Sequence, residues 1–134
     1  MIRLDNGVLR AGIGVRGAEL LSLCGGDGTE YIWQRDSRYW DRSAPILFPY
    51  VGRLGSGRCT FDSREYRLPL HGFAPESEFA VVERTDASVI LALADSAQTR
   101  ACFPFRFLLR VRYALEGRTL SVVLEVENRG KGPM

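Results

Sequence analysis

The stretch from Phe105 to Glu127 decides the fold, and it reads FRFLLRVRYALEGRTLSVVLEVE. Apolar residues alternate with mostly cationic ones up to Leu115, and a second alternation runs from Leu120 to Val126. A period of two places successive side chains on opposite faces of a strand. Gly117 can adopt the positive φ of a tight turn, so the stretch predicts an antiparallel hairpin. The arginines of its first strand are expected beside the glutamates of its second.

Shorter strand signals precede this hairpin. They cover residues 8–15, 18–23, 30–34, 59–61, 65–68, 78–84 and 88–94. Turn residues separate them at intervals of about ten residues, as in a sandwich or barrel. Residues 88–94 include a run that is apolar on both faces, so we expect a central, buried strand there. Residues 95–101 form one helical turn at most. The pattern therefore predicts an all-β, antiparallel protein.

Residues 36–57 interrupt the alternation with two prolines, three glycines and several aromatic residues. A long irregular segment inside a compact domain is usually functional or disordered. The aromatic and aliphatic side chains, among them Tyr39 and Trp40, argue against disorder. We therefore expect an ordered loop that builds a site.

The length of 134 residues indicates one domain, and no linker or repeat divides it, so we expect a single β domain over residues 1–134. Hydrophobic residues make up 46% and charged residues 25% of the chain, as in globular proteins. A net charge of +2 is too small to indicate nucleic acid or a membrane surface as a partner.

Residues 1–7 lack the apolar region of a signal peptide, and no apolar run approaches the roughly 18 residues of a membrane span. The three cysteines have no Cys-x-x-Cys spacing, so we expect reduced thiols in a cytoplasmic protein.

Three side chains are candidates for binding a small molecule. His71, the only histidine, lies in a Pro- and Gly-flanked loop that can project its ring into a cleft; a packing or surface role is the alternative. Arg53 follows Gly52 in an aromatic loop and suits recognition of hydroxyls or anions; an ordinary surface arginine is the alternative. Trp40 offers a stacking face for a sugar, with core packing as the alternative. No carboxylate pair has glycosidase spacing.

Several motifs, in order and in register, resemble the aldose 1-epimerase (galactose mutarotase-like) family. The resemblance extends over almost the whole chain. The matching stretches are GAELLSL at 17–23, EYIWQ at 30–34, Trp40 followed by APILFPYVGRL at 44–54, Phe61 with Tyr66, LHGFA at 70–74, FPFRF at 103–107 and the strand ending VEN at 126–128.

This resemblance implies an antiparallel β-sandwich of galactose mutarotase type, which interconverts the anomers of a free aldose without cofactor or metal. A carboxylate takes the proton of the anomeric hydroxyl while an imidazolium gives one to the ring oxygen. In this sequence Arg53 matches the family's substrate-binding arginine, and His71 matches its first site histidine. With Trp40 they form the expected substrate-binding set, and Arg53 and His71 should open onto one concave surface bordered by the 36–57 loop.

The sequence departs from the family at three places. Pro75 stands where the family usually has arginine, and Ser63 where glycine is common. The family's second histidine, later aspartate and base glutamate fall beyond the strand ending at Asn128. We therefore assign no catalytic residue within the chain and expect the N-terminal part of a longer sandwich, with little or no mutarotase activity alone.

Two readings from other classes stay open. One is a non-catalytic carbohydrate-binding β-domain; the other is a structural half completed by a partner chain. Because a partial sandwich exposes apolar faces and strand edges, we expect the chain to self-associate or to bind a complementary chain.

Overall fold

A computed structural model describes all 134 residues as three antiparallel sheets. The strands are β1 (Ile2–Asp5), β2 (Leu9–Ile13), β3 (Leu20–Gly25), β4 (Arg58–Phe61), β5 (Arg64–Arg67), β6 (Ala80–Arg84), β7 (Ser88–Ala94), β8 (Phe107–Glu116) and β9 (Thr119–Asn128). Their order is β1-β2-β3, β4-β5 and β6-β7-β8-β9. The all-β, antiparallel prediction is confirmed.

Helical structure is confined to short segments. The one α-helix, α1 (Ala97–Cys102), has six residues, and two 3-10 segments cover Gly55–Gly57 and Ala74–Glu76. None of these is long and apolar enough to cross a membrane. A helix forms near residues 95–101 as predicted, but its six residues make more than the single turn expected there. The Ser96 side chain caps it by accepting the Thr99 N–H at 3.1 Å.

The β8–β9 hairpin forms as the alternation predicts. Glu116 pairs with Thr119 across a two-residue turn in which Gly117 has φ 54°. Arg110 lies opposite Glu125 and forms ion pairs with Glu125 and Glu127. The expected pairing of arginines with glutamates is confirmed for this arginine.

The core lies between β8, β7 and the N-terminal sheet. Phe107, Leu109, Val111 and Tyr113, on one face of β8, are at most 1% exposed, and one cluster of 21 buried residues joins them to β1, β2 and β7. The Tyr113 hydroxyl donates a 2.7 Å hydrogen bond to the Ala18 carbonyl, which fastens the β2–β3 connection to the core. Burial raises the pKa of Tyr113, and the charge of Glu19 raises it further.

Two strand predictions need correction. Residues 30–34 are not a strand, because the Glu30 carboxylate takes the backbone N–H groups of Leu23 and Ile32 at 2.8 and 3.0 Å. Only an isolated bridge between Glu30 and Cys24 remains. The β7 strand is central, as predicted, but it is buried on one face only, since Ile90 is partly exposed. The four-residue β1 was not predicted.

One edge of the four-stranded sheet is uncovered. In the register of the hairpin, Val122, Leu124 and Val126 of β9 share the core face of β8, yet they are 43–50% exposed. The facing sheet β1-β2-β3 does not extend over them. The alternation in β9 therefore predicts the strand correctly but not its burial.

Candidate functional site

The 69–74 loop is locked against the 44–54 loop by the close approach of two backbones. The Phe73 and Ala74 N–H groups both donate to the Phe48 carbonyl, at 3.0 and 3.2 Å. Gly72 has φ +77°, and a Cβ there would lie 2.1 Å from the Phe48 oxygen. Only glycine fits such a contact. The sequence His-Gly at 71–72 therefore sets the position of the histidine.

His71 is held by two hydrogen bonds to one residue. The backbone N–H of His71 donates to the Gly52 carbonyl at 2.9 Å, and the imidazole Nδ1 accepts the Gly52 N–H at 2.9 Å. Because Nδ1 is an acceptor here, the neutral ring carries its proton on Nε2. No group in the chain hydrogen-bonds Nε2. The imidazole is thus oriented with one free N–H donor.

A cavity of about 500 Å³ opens beside His71. This volume falls within the range of about 300–1,000 Å³ that is usual for small-molecule sites. Its walls come from the 40–47 part of the loop and from the 70–76 segment. The lining residues are Trp40, Asp41, Arg42, Ser43, Ala44, Pro45, Leu47, Leu70, His71, Pro75 and Glu76.

Arg42 ties the walls of this cavity together. Glu19, 6% exposed, accepts the Ser43 N–H at 2.6 Å and lies 3.4 Å from Arg42 Nε. The same guanidinium donates to Glu76 and to the Pro75 carbonyl, each at 2.8 Å. A buried carboxylate requires such a partner. The start of β3, the loop and the 74–76 segment are therefore joined through one arginine.

The Glu76 carboxylate forms ion pairs with two arginines. Arg16 and Arg42 both pair with it, and the Arg16 hydrogen bond is the largest of the effects that lower its pKa. A carboxylate with a lowered pKa is a weaker base. Glu76 therefore contributes to the structure of the cavity wall and is poorly suited to accept a proton.

Trp40 and Arg53 take different positions relative to the cavity. Trp40 lines it and is 49% exposed, which excludes core packing for this residue. Arg53 follows Gly52 directly, but it is exposed, forms no hydrogen bond or ion pair, and is not among the lining residues. A sugar-binding role for Arg53 stays a prediction.

The sequence pointed to the loop and to His71 but missed Arg42, Asp41 and Glu76. Nothing in the sequence distinguishes Arg42 from the other arginines of the loop, because its partner Glu76 is 34 residues away along the chain. Pro75 stands where the resembling family usually has arginine, yet its carbonyl accepts a hydrogen bond from the Arg42 guanidinium. The cavity therefore keeps a cation next to Pro75.

The other potentially reactive groups lie apart from this cavity. Cys24, Cys59 and Cys102 are free thiols, and burial raises the pKa of Cys102. No three side chains of His, Cys, Asp or Glu come together in a group that could hold a metal ion.

Comparisons with known proteins agree with this architecture. The sequence profile of the family described as aldose 1-epimerase matches residues 1–134. The plasmid protein LacX of Lactococcus lactis subsp. lactis is 33% identical over 132 residues, which are 95% of this chain and 44% of LacX.

Two solved structures superpose closely on the chain. A galactose mutarotase-like protein from Lactobacillus casei ATCC 334 is 39% identical, with a TM-score of 0.93 over 96% of this chain and 44% of that one. A galactose mutarotase related enzyme from Lactobacillus acidophilus is 35% identical, with a TM-score of 0.93 over 95% and 43%. The chain thus spans less than half the length of these relatives. With a profile match along all its residues, it belongs to the aldose 1-epimerase family and has the galactose mutarotase-like β-sandwich fold.

Proposed function

We propose that this chain binds a free aldose in the cavity beside His71, and that by itself it does not interconvert the anomers. The observation that carries the proposal is the orientation of His71. Two hydrogen bonds to Gly52 leave its Nε2–H unpaired on the wall of a cavity that Trp40 also lines. A donor fixed in this way can hold a sugar oxygen with little loss of side-chain entropy.

The remaining walls supply complementary contacts. Asp41 offers acceptor oxygens for sugar hydroxyls, and the ring of Trp40 offers an apolar face for sugar C–H groups. Arg53, one residue beyond Gly52, is the cation that the family resemblance assigns to substrate binding. Together these groups make a binding half-site with donors, acceptors and a stacking face.

Turnover requires more than this set. Ring opening needs a base at the anomeric hydroxyl and an acid at the ring oxygen, and each such group contributes roughly a hundred- to ten-thousand-fold. Glu76 is held in two ion pairs that lower its pKa. Arg53 stays protonated at any working pH and cannot act as the base. We therefore expect binding without measurable mutarotation.

Binding is tested by calorimetric titration of the chain with glucose and galactose, and turnover by polarimetry of freshly dissolved α-anomers. We expect a dissociation constant of about a millimolar, as befits a small ligand with few contacts. The informative variant is His71→Asn. An asparagine oxygen can still accept the Gly52 N–H, and asparagine tolerates the φ of 64° at this position, but it lacks the Nε2–H.

His71→Asn should leave stability nearly unchanged and weaken binding about tenfold, the usual effect of one lost hydrogen bond in a site. Absence of binding by the unsubstituted chain, or equal binding by His71→Asn, would overturn the proposal. Polarimetric rates well above buffer would show that the chain has an active acid and base, and Asp41→Asn would then test the remaining carboxylate of the cavity.

The uncovered face of β9 supports a second role, in assembly. We propose that two copies of the chain pair their β9 edges in antiparallel fashion about Val123. This register sets Leu120 opposite Val126 and Val122 opposite Leu124, so that the two exposed apolar rows become one. Glu125 then faces Ser121 and Glu127 faces Thr119, so no like charges meet.

Sedimentation velocity over a range of protein concentration tests this pairing. A dimer is expected, and replacing Val122, Leu124 and Val126 together by threonine should give a monomer, because threonine keeps the strand preference but removes apolar surface. Val82→Thr, on the opposite edge strand β6, is the matched control and should leave the dimer intact. A stable monomer at high concentration contradicts the proposal.

A further inference from the structure

Three large aromatic side chains stand exposed beside the sugar cavity. Trp33, Tyr39 and Trp40 are 45%, 77% and 49% exposed. Grouped exposed aromatic side chains of this kind are uncommon on soluble proteins, and large apolar patches mark interaction sites. We call these three residues the aromatic platform.

The platform is held in place by its own contacts. The Trp33 indole N–H donates to the Trp40 carbonyl at 2.8 Å, and the Trp33 carbonyl accepts the Ser43 hydroxyl at 2.8 Å. The rings of Trp33 and Tyr39 meet edge to face, with centroids 6.3 Å apart and an interplanar angle of 73°. Since the indole N–H of Trp33 is already satisfied, what this residue offers a ligand is its ring surface.

The platform and the cavity share a wall. Trp40 and Ser43 line the cavity, and both are bonded to Trp33. Trp33 is thus one hydrogen bond, and Tyr39 one residue, away from the cavity wall, within reach of a ligand that extends past Trp40. The Arg38 guanidinium lies 5.7 Å from the Tyr39 ring centroid and pairs with Asp36. The platform thus has apolar ring faces with a charged rim.

A second pyranose ring fits this surface chemically. A pyranose presents C–H groups on its faces and hydroxyls around its edge, which match ring faces and a charged rim respectively. A protein partner would require an interface of about 1,200–2,000 Å² in total, far more than three side chains provide. We propose that the platform is a subsite for the second ring of a reducing disaccharide whose first, reducing ring occupies the cavity. This inference rests on the proposed aldose binding.

Calorimetric titration with glucose, maltose and lactose tests the subsite, since both disaccharides add one ring to a reducing glucose. Stacking on these side chains should make at least one disaccharide bind about three- to tenfold more tightly than glucose. Tyr39→Ala should remove most of that gain and leave glucose binding unchanged, because Tyr39 does not line the cavity. Tyr31→Ala is the matched control, since Tyr31 is 56% exposed but borders a different hollow.

The outcomes separate this inference from the proposed function. If glucose binds but neither disaccharide binds more tightly, or if Tyr39→Ala does not reduce the difference, the subsite is refuted while the cavity stands. If Tyr39→Ala changes the sedimentation of the chain instead of its disaccharide affinity, the platform is a protein contact and the inference is wrong. If none of the three sugars binds, the proposed aldose binding fails as well.

Discussion

Replacing Gly72 by alanine should destabilise the protein far more than an ordinary glycine substitution. Gly72 lies where the histidine loop crosses the Phe48 backbone, and its φ is +77°. An added Cβ would come within 2.1 Å of the Phe48 oxygen and 2.6 Å of Pro49 Cδ. Neither contact can be relieved by turning a flexible side chain, so the two backbone segments must separate.

The size of the effect follows from what that separation breaks. The left-handed conformation costs alanine about 1–2 kcal/mol. Moving apart removes the hydrogen bonds from the Phe73 and Ala74 N–H groups to the Phe48 carbonyl, each worth about 1 kcal/mol. It also disturbs the contact between the Phe48 and Phe73 rings, whose centroids lie 5.9 Å apart. We expect a loss of about 3–5 kcal/mol, a large part of the stability of a small domain.

Urea unfolding followed by far-ultraviolet circular dichroism measures this loss. Gly28→Ala is the matched control, because Gly28 has φ +84° but no atom within 4 Å of its added Cβ. The control should lose only the cost of the left-handed backbone conformation, about 1–2 kcal/mol. If Gly72→Ala fails to fold while Gly28→Ala folds, this counts as a large loss of stability and supports the prediction. Equal losses in the two variants would refute the argument from close approach.

Three further predictions concern stability. Ser63→Gly should stabilise the protein by about 1 kcal/mol, because Ser63 has φ 63° in the β4–β5 turn and glycine adopts that angle freely; an unchanged or lower melting temperature would contradict this. Arg42→Met should lower the free energy of unfolding by about 3 kcal/mol, because it leaves Glu19 buried without its ion partner. Adding Glu19→Gln to this variant should recover part of the loss in urea titrations. Strictly additive losses would show that the two side chains are not coupled. Burial raises the pKa of Glu30, but hydrogen bonds from Ser22, Leu23 and Ile32 outweigh it and bring the pKa from 4.5 to about 2. This carboxylate therefore stabilises the fold fully above pH 4.5, and its contribution is lost as the pH falls towards 2; Glu30→Gln should flatten the stability profile in that window, and an identical acid profile for the variant would disprove the assignment.

Local alternation was sufficient to predict most of the strands. The hairpin predicted within Phe105–Glu127 is observed as Phe107–Glu116 and Thr119–Asn128. The period of two and the glycine turn are properties of the segment itself, so no distant contact is needed to specify them. The 30–34 prediction failed because a side chain, Glu30, took the N–H groups that a strand ladder would have used.

Burial and the site depended on contacts that local patterns do not contain. The apolar row of β9 looks like a core face in the sequence, but nothing in the segment shows whether another layer covers it. His71 and Trp40 were predicted from motif and loop chemistry. The Arg42 network was not, because Glu19, Arg42 and Glu76 meet only after three separate segments have packed together.

The central claim is that His71 faces an aldose, and proton nuclear magnetic resonance of its imidazole tests it most directly. His71 is the only histidine in the chain, so its Hε1 signal is unique. Titration with glucose or galactose should shift that signal saturably, together with the indole signal of Trp40, and in His71→Asn the midpoint of the Trp40 shift should move to about tenfold higher sugar concentration. A histidine signal that does not move at high concentrations of either sugar would contradict the account.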